Sequence, residues 1–164
     1  MKLDRVLVPL DGSRLAEAAI PMAVDFVKDQ PAATLVLLRA AEASRLPALD
    51  PMEEQVRVVR EAENYLASVA ARLVGKGVNQ VKTSVWYGPA ASAIVEAAQM
   101  GKVDLIVMST HGRSGIGRLI LGSVAESVLR STRTPILLVR DDGASPGAVL
   151  GETEERSVKE SAHV

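Results

Sequence analysis

The chain has 164 residues, 48% of them hydrophobic, with a net charge of −1 and a pI of about 6.1, which is the size and balance of one domain with a sizeable core. Such a balance offers no basic field for nucleic acid or an anionic membrane, and the lack of cysteine excludes disulfides, thiolate catalysis and cysteine-ligated metal. With only Phe26, Tyr65, Trp86 and Tyr87 aromatic, the core must be built from Val, Leu, Ile and Ala, residues that suit parallel strands covered on both faces. The opening "MKLDRVLVPLDGS" has no apolar h-region, and no run of 18 apolar residues occurs, so a soluble cytoplasmic protein without a membrane partner is expected.

"DRVLVPL" (4–10) is a short apolar run closed by Pro9, Asp11 and Gly12, a buried strand ending at about Val8. Ser13 is placed to cap a helix over about 13–29, whose face is Leu15, Ala18, Ala19, Met22, Ala23, Phe26 and Val27. A second buried strand, 33–40, leads through a proline-bearing loop to a long helix from Pro51 to about Val74. Its stripe is Val56, Val59, Ala62, Leu66, Val69, Ala70 and Leu73, and Gly75 and Gly77 stop it. "VKTSVWY" (81–87) alternates and reads as a third strand nearer an edge. Gly88-Pro89 opens a short helix with Ala91, Ile94, Val95 and Ala98 inward, and 103–109 is a fourth strand. Ser123 and Glu126 form an S-x-x-E capping box before a helix with Val124, Ala125, Val128 and Leu129 inward, and "PILLVR" (135–140) is a fifth strand.

Regular β-α alternation defines the fold class: α/β, one open parallel five-stranded sheet, Rossmann-like, with helices on both faces and right-handed crossovers. The domain is expected over 1–140. Residues 141–164, rich in Gly, Ser, Glu and Ala, read as a mobile polar tail.

Between the fourth strand and the last helix lies "MSTHGRSGIGRLILGSVAES" (108–127). In an open α/β sheet, ligands sit beyond the carboxyl ends of the strands where strand order reverses. The exits of strands one and four, "VPLDGS" and "STHGRSG", are the most turn-rich and polar. Gly112, Gly115 and Gly117 would let backbone N–H groups approach an anion, the helix after Gly122-Ser123 favours a phosphate at its start, and Arg113 and Arg118 add charge. The stretch Gly112–Leu119 reads G-x-x-x-x-G-R-L, so it lacks the lysine and hydroxyl of a Walker A loop, and G-x-G-x-x-G is absent. By these rules alone a phosphate site and a merely flexible loop stand level.

These segments together resemble the universal stress protein family over residues 3–140. Its nucleotide-binding members carry G-x2-G-x9-G-[ST] after the fourth strand. Here the pattern runs Ser109, Gly112, nine residues, then Gly122-Ser123, so serine replaces the first glycine. "VLVPLDGS", "GPAASAIVEAA" and "TPILLV" also look like family segments. The resemblance implies strand order 3-2-1-4-5, a dimeric stress-response sensor or regulator, and an ATP or AMP site at strands one and four. Pro9, Leu10 and Asp11 would line the adenosine end, and Ala40 would meet adenine through its backbone. Met108 and Ser109 would flank ribose and phosphates. Gly112, Arg113, Ser114 and Gly115 would wrap the phosphates, with Gly122, Ser123 and Val124 closing the site. It also implies a homodimer through Pro135 to Val139. Strand two departs from the family's frequent histidine-valine at Arg39-Ala40, which a backbone contact tolerates. A positive φ at position 109 would disfavour serine; an ordinary strand end would accept it.

No catalytic residue is expected, and at most weak ATP hydrolysis. His111 as a base with Ser109 or Ser114 as nucleophile lacks a triad arrangement, and holding a loop is the commoner role. Asp11 reads equally as a cap of the first helix or as a ligand residue. Glu53, Glu54, Glu61 and Glu63 read as a solvated face, and Trp86 and Tyr87 as edge packing. No cluster has metal-ligand spacing, so any Mg²⁺ would arrive with the triphosphate. The alternatives are a dimeric interaction module that has lost its nucleotide, and a slow ATP-hydrolysing enzyme.

Overall fold

A computed structural model of the chain describes residues 3–42, 50–111 and 121–141; of His111 and Asp141 it describes only the backbone. The elements are β1 (Arg5–Pro9), α1 (Arg14–Glu17), α2 (Ile20–Val27), β2 (Thr34–Ala41), α3 (Pro51–Gly75), β3 (Val81–Tyr87), α4 (Ala90–Met100), β4 (Leu105–His111), α5 (Ser123–Ser131) and β5 (Ile136–Asp141). The five strands form one parallel sheet in the order β3-β2-β1-β4-β5, the order the resemblance implies.

Strand residues alternate between two cores. Val6, Val8, Leu35, Leu37, Leu105 and Val107 pack under α2 and α3. Leu7, Leu38, Ile106 and Met108 pack under α4 and α5. Since each central strand buries both faces, its sequence is a continuous apolar run rather than an alternating one. The β3 strand is an edge, as its alternation predicts, and every residue in it is at least partly exposed.

The first helical stretch is two helices instead of one over 13–29. Pro21 lacks the N–H that would bond the Glu17 carbonyl, and its ring crowds that carbonyl. The chain tightens instead: the N–H of Ala18 is shared between the carbonyls of Arg14 and Leu15, and that of Ala19 reaches Ala16. Ser13 does cap α1, its Oγ accepting from the Ala16 N–H at 3.1 Å.

Asp50 caps α3 through the N–H groups of Met52 and Glu53. Only Ala62, Leu66, Val69 and Leu73 of its stripe are buried; Val56 is exposed, so the buried face of this 25-residue helix begins at Ala62. The helix ends as its glycines predict, with Gly77 in the left-handed region (φ 89°) and the Val78 N–H closing on the Leu73 carbonyl. Of the acidic residues on α3, Glu54 and Glu61 pair with Arg57. In α4, Ala93, Ile94, Ala97 and Ala98 are buried, with Ala91 and Val95 at the margin, and Pro89 is the N-cap.

Two expectations for α5 are corrected. Its N-cap is Gly122, so Ser123 is the first helical residue and no side chain caps the helix. Glu126 does not reach back to complete a capping box; it pairs forward with Arg130 at 2.8 Å. Ala125 and Val128 are buried, but Val124 and Leu129 are 38% and 51% exposed, so the inward face is narrower than the four expected residues. The expected 141–164 tail lies outside the described residues except for the backbone of Asp141.

Candidate functional site

Strand order reverses between β1 and β4, and the pairing there is short. Only Val6–Leu105 and Leu7–Ile106 are in register, whereas β1 stays with β2 through Pro9 and β4 stays with β5 through His111 and Asp141. Beyond Leu7 and Ile106 the two strands part, and a cleft of about 280 Å³ opens between their carboxyl ends. This is the switch-point crevice of an open α/β sheet.

Nine of the expected site residues line this cleft: Pro9, Leu10 and Asp11 after β1, Ala40 on β2, Met108 and Ser109 on β4, and Gly122, Ser123 and Val124 at the start of α5. Gly112, Arg113, Ser114 and Gly115 lie outside the described residues. Sequence reasoning missed Ser13, Leu15 and Ala16 on one wall, and Leu38, Ala90, Ile94 and Ala125 on the floor and far wall. Leu15 counts as core by periodicity, and nothing local distinguishes a core leucine from one facing a crevice.

The polar geometry comes from two turns. On the β1 side, Asp11 Oδ1 accepts from the Ser13 N–H at 2.8 Å, and Gly12 between them takes φ 90°. Asp11 therefore shapes the helix entry and lines the cleft, while the cap of α1, one of the roles expected of Asp11, belongs to Ser13. On the opposite side α5 begins bare. The first intrahelical bond runs from the Glu126 N–H to the Gly122 carbonyl at 3.0 Å. The N–H groups of Ser123, Val124 and Ala125 therefore have no intrahelical acceptor, and all three residues line the cleft. Among the described residues, nothing lies within 4 Å of a Cβ built on Gly122.

Ser109 is an ordinary strand residue in register with Val139. Among the described residues the only non-glycine with positive φ is Lys102, so serine at the first motif position carries no backbone strain.

The cleft has an apolar floor of Leu38, Ile94 and Met108 with polar groups at two edges, a composition suited to a flat ring with an anionic extension. The bare α5 terminus, with its positive dipole end, fits the anionic part. Among the described residues no group of three metal-ligating side chains occurs, and no helix is long and apolar enough to cross a membrane.

A parallel 3-2-1-4-5 sheet with a switch-point cleft facing an uncapped helix defines a Rossmann-like α/β protein with an anion-ready crevice. Comparison with known proteins assigns the lineage: the universal stress protein family model matches residues 2–140, and the chain belongs to that family. It is 31% identical to universal stress protein YxiE of Bacillus subtilis over 147 residues, covering 84% of this chain and 99% of that one. The solved structure of MJ0577 from Methanocaldococcus jannaschii is similar at 27% identity and TM-score 0.71, covering 88% of this chain and all of that one. A universal stress protein solved in complex with cAMP shares the fold at 24% identity and TM-score 0.64, over 85% of this chain and 98% of that one.

Proposed function

We propose that the cleft binds an adenine nucleotide, ATP or AMP, and that the protein is a non-enzymatic sensor or regulator acting in the cytoplasm. The observation that carries this reading is the start of α5, which has no side-chain cap and whose first three N–H groups, without an intrahelical acceptor, belong to residues lining a crevice with an apolar floor. Of the helices with eight or more residues, α3 is capped by a side chain, Asp50, whereas α5 starts from glycine at the cleft. Pro9, Leu10, Asp11 and Ala40 would hold the adenosine part, Met108 and Ser109 the ribose and first phosphate, and Gly122, Ser123 and Val124 the remaining phosphates. Gly112, Arg113, Ser114 and Gly115 would complete the phosphate contacts, and any Mg²⁺ would come with the triphosphate. No step of hydrolysis is assigned to a residue.

The same reading includes a homodimer through β5. Ile136, Leu137, Leu138 and Val139 are only half buried on an edge strand, and an apolar edge invites pairing with a second copy. Purified protein, denatured and resolved by anion exchange, is expected to release adenine nucleotide, or failing that to bind ATP or AMP by calorimetry below millimolar Kd. No binding by either route would leave the dimeric interaction module as the function. Sedimentation at micromolar concentration tests the dimer, which a strictly monomeric chain would refute.

A further inference from the structure

The wall of the cleft formed by α1 is held from a distance. This helix is one turn long, is cut off from α2 by the Pro21 break, and has no fully buried residue, with only Ala16 packed against the core, so its own apolar anchoring is slight. Yet Ser13, Leu15 and Ala16 of this segment line the cleft. Its long-range polar tether is Glu17. The Tyr65 hydroxyl donates to Glu17 Oε1 at 2.9 Å, and Arg72 Nη2 donates to Glu17 Oε2 at 2.8 Å, both from α3 and from 48 and 55 residues along the chain. Tyr65 also carries the Arg39 guanidinium, 5.0 Å from its ring centroid, and Arg39 in turn lies against Gly12, where a Cβ would sit 3.6 Å from Nη1. One tyrosine thus braces both the helix and the turn that precedes it. Burial, followed by the bond to Glu17, raises the Tyr65 pKa, so the hydroxyl keeps the proton it donates.

We infer that Tyr65 and Arg72 are positioning residues for the nucleotide cleft: acting through Glu17, they fix α1 as its wall without touching the ligand. This rests on the nucleotide reading for its affinity consequence and on the described contacts for its mechanical one.

Tyr65→Phe keeps the ring under Arg39 and removes only the hydroxyl, and Glu17→Gln weakens the acceptor for both donors. Each is expected to weaken ATP binding about tenfold, the scale of one hydrogen bond to a charged group. The double variant should lose less than the product of the two single effects, because both act on the Tyr65–Glu17 bond. Leu73→Ala, which opens the α3 core away from the cleft, should lower thermal stability while leaving the Kd within twofold. Hydrogen exchange without ligand supplies the second reading: the Glu17 and Ala18 amides should exchange about tenfold faster in Tyr65→Phe than in the parent. Unchanged ATP affinity in Tyr65→Phe and Glu17→Gln, affinity that simply follows thermal stability in Leu73→Ala as well, or unchanged α1 exchange would each overturn the inference. If the parent binds no ATP, the nucleotide reading fails, and the exchange comparison by itself still decides whether α3 positions α1.

Discussion

Replacing Gly122 by aspartate should push stability and ligand affinity in opposite directions. Gly122 is the N-cap of α5 with φ −59° and ψ 152°, a conformation that any residue adopts and that suits a capping side chain. Among the described residues a Cβ there meets nothing within 4 Å, so the substitution introduces no clash with them. The new carboxylate can accept from the N–H groups of Val124 or Ala125 and complement the helix dipole. Together these effects stabilise the fold by roughly 0.5–1 kcal/mol, or about 1–3 °C in Tm for a domain of this size. The same carboxylate occupies the place proposed for a phosphate and repels it. At about 4 Å and an intermediate effective dielectric the repulsion is on the order of 4 kcal/mol per pair of charges; discounted for solvent and movement, ATP affinity should still fall by more than about a hundredfold. Thermal unfolding without ligand and calorimetry with ATP read the two arms. A Gly122→Asp protein that binds ATP within threefold of the parent would refute the placement of phosphate at α5. A Tm lowered by several degrees would refute the geometry of the bare cap.

Ser109→Gly should leave ATP affinity within about threefold, because Ser109 is an unstrained strand residue; a tenfold gain in calorimetry would show that its Cβ obstructs the phosphate. Lys102 follows α4 at φ 48°, so Lys102→Gly should stabilise the fold by up to about 1 kcal/mol, the relief of left-handed strain less the added freedom of the unfolded chain, measured by urea unfolding. Tyr65 ionises above its ordinary value near 10 because it is partly buried and bonded to Glu17. Its raised pKa contributes stability that is fully present below pH about 10 and falls as pH rises, since the unfolded chain releases that proton first. Above pH 10 the parent should therefore lose stability more steeply than Tyr65→Phe in parallel pH-dependent melts, and identical slopes would contradict the sign.

Much of the fold was legible because the strands are continuous apolar runs bounded by Gly, Pro and Asp, and because strict β-α alternation permits few topologies. The nine described site residues come together because switch-point geometry follows from that topology, and because the family resemblance supplied the residue-by-residue map. What escaped was local chemistry with a competing explanation. Pro21 sits inside a good apolar period, and the period hides the break. Ser123 and Glu126 have the spacing of a capping box, yet Gly122 takes the cap and Arg130 takes the glutamate. Val124 has the periodicity of a core residue but faces the crevice, a distinction that depends on β1 and β4 diverging. The Glu17–Tyr65 bond spans 48 residues, and no pattern in one sequence announces it.

The most direct test of the account is a titration of ¹⁵N-labelled protein with ATP, following backbone amide shifts. The account predicts that Leu10, Asp11, Ala40, Ser109, Ser123, Val124 and Ala125 move together along one binding curve, with the α5 amides shifting downfield as they donate to phosphate. Shifts confined to other surfaces, or α5 amides that stay in place while the rest respond, would contradict it.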